Sequence, residues 1–211
     1  DHVIGRLTAG GCMKRLLPIV EGHGEIKAVP LLIRRILEAQ EIFEVQILSP
    51  RRYGEYPSVA KNFDNCFQAA IKENAPILWI MDFDSKNYEC PVQEASNLLS
   101  RAAKLRPGWP LKIAFLVKEY ETLFLIDEAA SRAVFPDISS NIVFPEAPED
   151  IRDAKGWISQ HRPSGMAYKE TVHQEKITAR LDLELLRARS PDFAHLERAI
   201  VELAQYGNYI R

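Results

Sequence analysis

Cysteine is scarce in this 211-residue chain: Cys12, Cys66 and Cys90 are odd in number and lack the paired spacing of a zinc site. A disulfide framework is thereby excluded, and a reducing cytoplasm is the expected setting. Long hydrophobic runs are missing too. None approaches the roughly 18 apolar residues that a membrane helix needs, so no span is expected. Net charge is small, −2 from 27 Lys+Arg against 29 Asp+Glu, which gives the chain no global attraction for polyanions. Any phosphate binding must then come from a local basic patch or a metal ion. A P-loop is absent as well, because Gly22-His23-Gly24 is not followed by the Gly-Lys-Ser or Gly-Lys-Thr that such a loop requires.

What is present is the balance of an ordinary folded domain, 46% hydrophobic and 27% charged, with length enough for one good-sized core. Residues 1–12 hold three glycines and little periodicity, without the apolar centre of a signal peptide. They read as a leader ahead of Met13 and are set aside from the fold.

The informative stretch is Leu16-Leu17-Pro18-Ile19-Val20-Glu21-Gly22-His23-Gly24-Glu25, an apolar run that ends in carboxylates and glycines. It predicts a buried strand, a tight turn and a helix whose stripe is Val29, Leu32, Ile33, Ile36 and Leu37. A second run, Ile77-Leu78-Trp79-Ile80-Met81-Asp82-Phe83-Asp84, ends in acid at the same edge. On extended backbone Asp82 and Asp84 share a face, with Phe83 turned away. Carboxylates gathered there without counter-charge imply either protons or a hard divalent cation.

Strands are also expected over Phe43 to Leu48 and Leu111 to Val117, with helices opened by Ser58 and running from Pro91 to Leu105. Four strands with three helices between them describe an α/β fold with a parallel sheet of about four strands. The segment from Leu123 to Ala130 reads as one helix, and Phe135 to Pro148 as a linking loop over the surface. Beyond it only helical pattern continues, with one stripe at Ile177, Leu181, Leu185 and Ala188. A last helix is capped by Ser190-Pro191. The expected organisation is therefore a sheet domain over residues 13–130 and a helical extension over 131–211 packed on it.

Strand-Glu-Gly followed by strand-Asp-x-Asp resembles the TOPRIM domain of topoisomerases, primases and the overcoming-lysogenization-defect nucleases. Val20-Glu21-Gly22-His23-Gly24-Glu25 is most similar to the nuclease branch, over roughly Arg15 to Thr122. Taken whole, the chain looks like a standalone TOPRIM-like family of prokaryotes. The resemblance implies a TOPRIM/Rossmann-like sheet and Mg²⁺- or Mn²⁺-dependent phosphodiester chemistry on DNA or RNA. It assigns Glu21 to acid-base or metal chemistry, Asp82 and Asp84 to the metal, and Glu25 to the same site. It also implies a defence setting with an ATPase partner.

By position, Glu119 and Glu121 either complete the site, as two-metal phosphoryl transfer requires, or cap a helix. Arg51 and Arg52 either touch phosphate, with Tyr53 stacking on a base, or belong to a solvated loop. Lys169 either stabilises developing phosphate charge or lies on the surface. His23 touches substrate or faces solvent. Two other functions stay open. A nucleotide-binding Rossmann module explains the strand-Gly-helix unit, yet Lys27 stands where its third glycine belongs and Glu21 and Glu25 would face the pyrophosphate. A non-catalytic partner domain whose carboxylates bind metal for stability is the other.

Overall fold

In the computed structural model, which describes residues 13–84 and 90–206, the first apolar run becomes β1 (Lys14–Val20), the inner strand around which the sheet is laid. Leu16, Leu17, Ile19 and Val20 are all buried, as a parallel strand covered on both faces demands. β2 (Val45–Ile47) and β3 (Arg51–Arg52) lie along one side of β1, and β4 (Ile77–Phe83) and then β5 (Leu111–Val117) along the other, all parallel. β2 pairs with Lys14 to Leu16 and β3 with Ile19 and Val20, so the two are one edge interrupted around Pro50. The sheet thus has five strands where four were expected. A two-residue rung uses backbone groups alone and leaves no side-chain pattern to read.

Alternation along each strand divides the core. Leu17, Ile19, Ile77, Trp79, Met81, Phe83, Ile113 and Phe115 pack under α2 (Tyr56–Ala70) and α3 (Pro91–Leu105) through Val59, Phe63, Phe67 and Leu98. Leu16, Val20, Leu78, Ile80, Ala114 and Leu116 face the opposite layer, built by α1 (Glu25–Ala39) and by Phe193, Leu196, Ile200 and Leu203 of the last helix, Pro191–Gln205. That helix lies across β1, β4 and β5. Each such apolar side chain is worth about 1.5–3 kcal/mol on burial, so the carboxyl-terminal helix is part of what holds the sheet. The same alternation carries Asp82 toward this second layer and Phe83 toward α2.

Between sheet and last helix come α4 (Thr122–Ile126), α5 (Glu128–Val134), α6 (Ala154–Gln160), α7 (Glu170–Thr178) and α8 (Leu183–Arg189), which makes the last helix α9. The run from Leu123 is two helices rather than one. Asp127 leaves helical geometry, accepts from the Ala130 N–H at 2.9 Å as the cap of α5, and accepts from the Asp182 N–H at 2.7 Å. The expected loop from Phe135 to Pro148 is no surface crossing, because Phe135, Ile138 and Phe144 are buried. The stripe from Ile177 to Ala188 is likewise broken: Leu186 is buried while Ala188 is exposed, since the turn that follows α7 at Ala179 and Arg180 resets the phase. Arg35 of α1 fixes that turn by donating to Thr178 O and Leu181 O, both at 2.7 Å. Helix α2 is capped at Glu55 and not at Ser58, with Pro57 in its first turn. Ser190 caps α9 as expected, accepting from the Phe193 N–H at 3.1 Å. The leader and Cys12 lie outside the described residues. Among the described residues no helix is long and apolar enough to cross a membrane.

Candidate functional site

From β1 the chain crosses to β2 on one side, then returns over β1 through α2 to β4 on the other, so the order reverses between β1 and β4. The crevice beyond the strands' carboxyl ends opens at such a reversal. Glu21 leaves β1 there and Asp82 is the last residue but one of β4. Lys118, in the left-handed region at φ 72°, swings the chain off β5 into Glu119, Tyr120 and Glu121.

Glu25 is the first residue of α1, and its Oε2 accepts from the Glu21 N–H at 3.1 Å, which satisfies a donor of the turn. Gly24 before it has an ordinary helical φ of −66°, so conformational freedom is not its purpose. A Cβ there would stand 2.4 Å from Gln174 Oε1 and 2.8 Å from Glu170 O, so glycine lets the start of α7 close on the turn. Gly24→Ala is expected to lower stability by about 1–3 kcal/mol in urea denaturation, as overpacking does. An unchanged midpoint would mean that α7 does not seat there.

The carboxylates converge on one ammonium. Lys155 Nζ stands 3.5 Å from Glu119 Oε2, 3.6 Å from Glu121 Oε2 and 3.5 Å from Glu170 Oε2, while its backbone N–H donates to Glu119 Oε1 at 3.0 Å. Glu121 is fully buried, and its Oε1 accepts from Tyr168 Oη at 2.8 Å and Gln174 Nε2 at 3.1 Å. Although Glu121 occupies the cap position of α4, its side chain makes no cap bond. Asp82 Oδ1 accepts from the Tyr120 N–H at 3.0 Å, and its charge is felt together with those of Glu25, Glu121 and Glu21.

So many acids around one lysine resist ionisation. Burial, then the charge of Glu25, raises Glu21 to about 7, against a smaller pull from backbone groups of Asp82 and Tyr56. Burial raises Glu121 to about 8 despite Lys155, with Glu119 adding to the rise. Asp82 is pushed well above the usual carboxylate range by burial and then by Glu25, Glu121 and Glu21. Burial also raises Glu25, with the turn's backbone opposing. For Lys155 burial works downward, but Glu121, Glu119, Asp82 and Glu170 together outweigh it and hold the ammonium charged.

Glu21 Oε2, Glu121 Oε2 and Gln174 Oε1 are buried without a hydrogen-bond partner. Orphaned carboxylate and amide oxygens are the donor type that suits a hard divalent cation such as Mg²⁺ or Mn²⁺. The donors are not drawn in on a common point, however: among the described residues no three His, Cys, Asp or Glu side chains are gathered as a ready coordination shell. Lys155 stands among them instead.

The other residues singled out from sequence take different places. Asp84 is 47% exposed and accepts from Arg152 Nη2 at 3.1 Å, because β4 ends at Phe83 and the alternation that would align it with Asp82 stops there. Arg51 is ion-paired with Glu73. Arg52 braces the site, with Nε donating to Glu21 O at 2.6 Å and Nη1 2.9 Å from His23 Nε2. Tyr53 packs on Trp79, ring centroids 5.7 Å apart. Lys169 is exposed, and its backbone N–H donates to His173 Nδ1 at 2.9 Å. Lys155, Glu170, Gln174 and the Tyr168 hydroxyl were not found from sequence as members of the pocket. Gln174 did leave a signal, since it lies one helical turn before Ile177 on the buried side of α7, and a polar residue there needs a partner.

A family model described as a domain of unknown function, DUF4276, matches residues 20–200. No curated protein matches the chain. Among solved structures, the chain is similar to the C-terminal region of the Burkholderia pseudomallei OLD protein, at 14% identity and a TM-score of 0.47 over 90% of this chain and 98% of that one. It is also similar to the C-terminal region of the Xanthomonas campestris pv. campestris OLD protein, at 14% identity and a TM-score of 0.42 over 92% and 96%.

Proposed function

The chain belongs to the DUF4276 family, and we propose that it carries out Mg²⁺- or Mn²⁺-dependent phosphodiester chemistry on DNA or RNA. The observation that carries this reading is the meeting of Glu21, Asp82 and Glu119-Tyr120-Glu121 from three strand ends at the sheet's reversal, with orphaned oxygens on Glu21 and Glu121. Asp82 is the principal ligand in this reading, with Glu25, Glu119 and Glu121 as further ligands and Asp84 at the rim. A bound divalent cation supplies charge stabilisation at the phosphoryl group. Glu21 takes or returns the proton of the attacking water from its place at the end of β1, beside the proposed ligands. Arg52 holds the backbone that carries Glu21 and is the better placed of the two arginines for a phosphate, while exposed Lys169 adds local positive charge.

With a net charge of −2, the isolated chain grips nucleic acid weakly. By its sequence resemblance to the nuclease branch, an ATPase partner supplies that grip, in a cytoplasmic prokaryotic defence system. Lys155 already partly neutralises the pocket, and this favours a second reading, a non-catalytic partner domain that binds metal.

The first test is stability against pH, with and without cation. Glu21 and Glu121 bind protons more tightly folded than unfolded, so the folded state carries the extra protons between about pH 4.5 and 8. Stability is then fullest at the acid end of that window and is lost as pH rises through it, by a few kcal/mol. For a chain of this length that is a Tm lower by roughly 5–10 °C at pH 8.5 than at pH 5.5. Millimolar Mg²⁺ or Mn²⁺ restores most of the loss, because an ion at a hundred times its Kd adds about 2.7 kcal/mol. A Tm that ignores both pH and cation would sink the metal reading. Cation binding without cleavage of supercoiled DNA, single-stranded DNA or RNA would leave the partner-domain reading.

A further inference from the structure

Lys155 is held in an unusual way. Its ammonium lies almost equally far from Glu119, Glu121 and Glu170, at 3.5, 3.6 and 3.5 Å, within direct hydrogen-bond reach of none. The backbone is fixed independently, through the Lys155 N–H on Glu119 Oε1 at 3.0 Å and the cap of α6, where Asp153 accepts from the Gly156 N–H. The side chain itself remains 37% exposed. It is therefore a cation on a flexible stem, anchored at its root, central in the pocket and open to solvent along one side. Two nine-tenths-buried side chains there each keep an oxygen without a hydrogen-bond partner, Glu121 Oε2, which stands 3.6 Å from the ammonium, and Gln174 Oε1.

We infer that Lys155 is a resident counter-ion that a divalent cation displaces. It keeps Glu119, Glu121 and Glu170 together in the cation-free protein and swings to the rim when the ion enters. This deepens the metal reading of the same pocket and rests on it. A divalent ion at the roughly 2.0–2.6 Å of oxygen coordination brings twice the charge at about two-thirds of the distance, so its attraction to each carboxylate is about threefold that of the ammonium. The displaced side chain needs no movement of α6, because only its stem rotates. Lys155 thus sets the affinity of the pocket by competition: it favours the folded, cation-free state and weakens the hold on any ion that must replace it.

The test is isothermal titration calorimetry of the whole chain with MgCl₂ and with CaCl₂, at one pH and fixed NaCl, on the parent, Lys155→Met, Lys155→Gln and Lys155→Arg. Both neutral variants are expected to bind the divalent ion at least about tenfold more tightly than the parent, and Lys155→Arg no more tightly. If Lys155→Met unfolds without cation, regain of its helical circular dichroism on adding Mg²⁺ supports the inference equally. A parent that binds, with neutral variants that bind no better, overturns the counter-ion role and leaves the metal reading standing. A parent and variants that all fail to bind overturn both.

Discussion

Asp82→Asn is expected to abolish divalent-cation binding and turnover together, with cleavage falling by more than about 10³-fold, since the several kcal/mol that a cation contributes at a phosphoryl group are lost with it. Asparagine keeps the shape and the acceptor oxygen that receives the Tyr120 N–H, so the fold beyond β4 is kept. What disappears is a carboxyl group that burial, and then the charges of Glu25, Glu121 and Glu21, make costly to ionise. The cation-free variant is therefore expected to melt higher than the parent at pH 8 while losing the parent's rise in Tm with Mg²⁺. A gain in intrinsic stability paired with a loss of ligand response is hard to produce by general damage. Asp82→Asn that still melts higher with Mg²⁺ and still cleaves would remove Asp82 from the site.

Glu21→Gln separates proton transfer from ligation. Turnover is expected to fall by about 10²- to 10⁴-fold, the usual worth of a general acid or base, while calorimetry still finds the cation bound. Glutamine retains an oxygen but carries no proton at neutral pH. Burial places Glu21 at about 7, so the substitution also takes away one of the groups that make the cation-free protein less stable at alkaline pH. Its fall in Tm between pH 5.5 and 8.5 is expected to be shallower than the parent's. Loss of cation binding as complete as in Asp82→Asn would make Glu21 a ligand instead. If both variants cleave like the parent, the catalytic reading fails and the partner-domain reading takes its place.

The sequence by itself determined the long strands of the sheet and the edge at which their terminal acids lie. Runs such as Ile77 to Met81 are apolar on both faces only if both faces are covered, and that condition yields a parallel sheet with helices on each side. Carboxylates directly after such runs can lie only at the strands' carboxyl ends, which is why Glu21, Asp82 and Glu119-Tyr120-Glu121 were legible as neighbours before any strand order was known. Alternation also put Asp82 and Phe83 on opposite faces, since it depends on backbone geometry alone.

Tertiary structure decided which charges answer one another. Lys155 and Glu170 lie 36 and 51 positions beyond Glu119 in the chain, and no local period links them. They enter the pocket because α6 buries Ala154 and Ile158 in the core and its Lys155 N–H bonds Glu119, while Arg35 ties the turn after α7 to α1 and Gly24 admits the start of α7. Lys169, the nearest lysine to Tyr168 in sequence, is exposed, whereas Lys155 reaches three carboxylates from the start of another helix. Hydrophobic pattern reports burial of a residue's own segment, whereas the partner of a charge depends on how separate segments dock. That docking is fixed by apolar contacts elsewhere in the core, so the acids could be read along the chain and their counter-ion only across it.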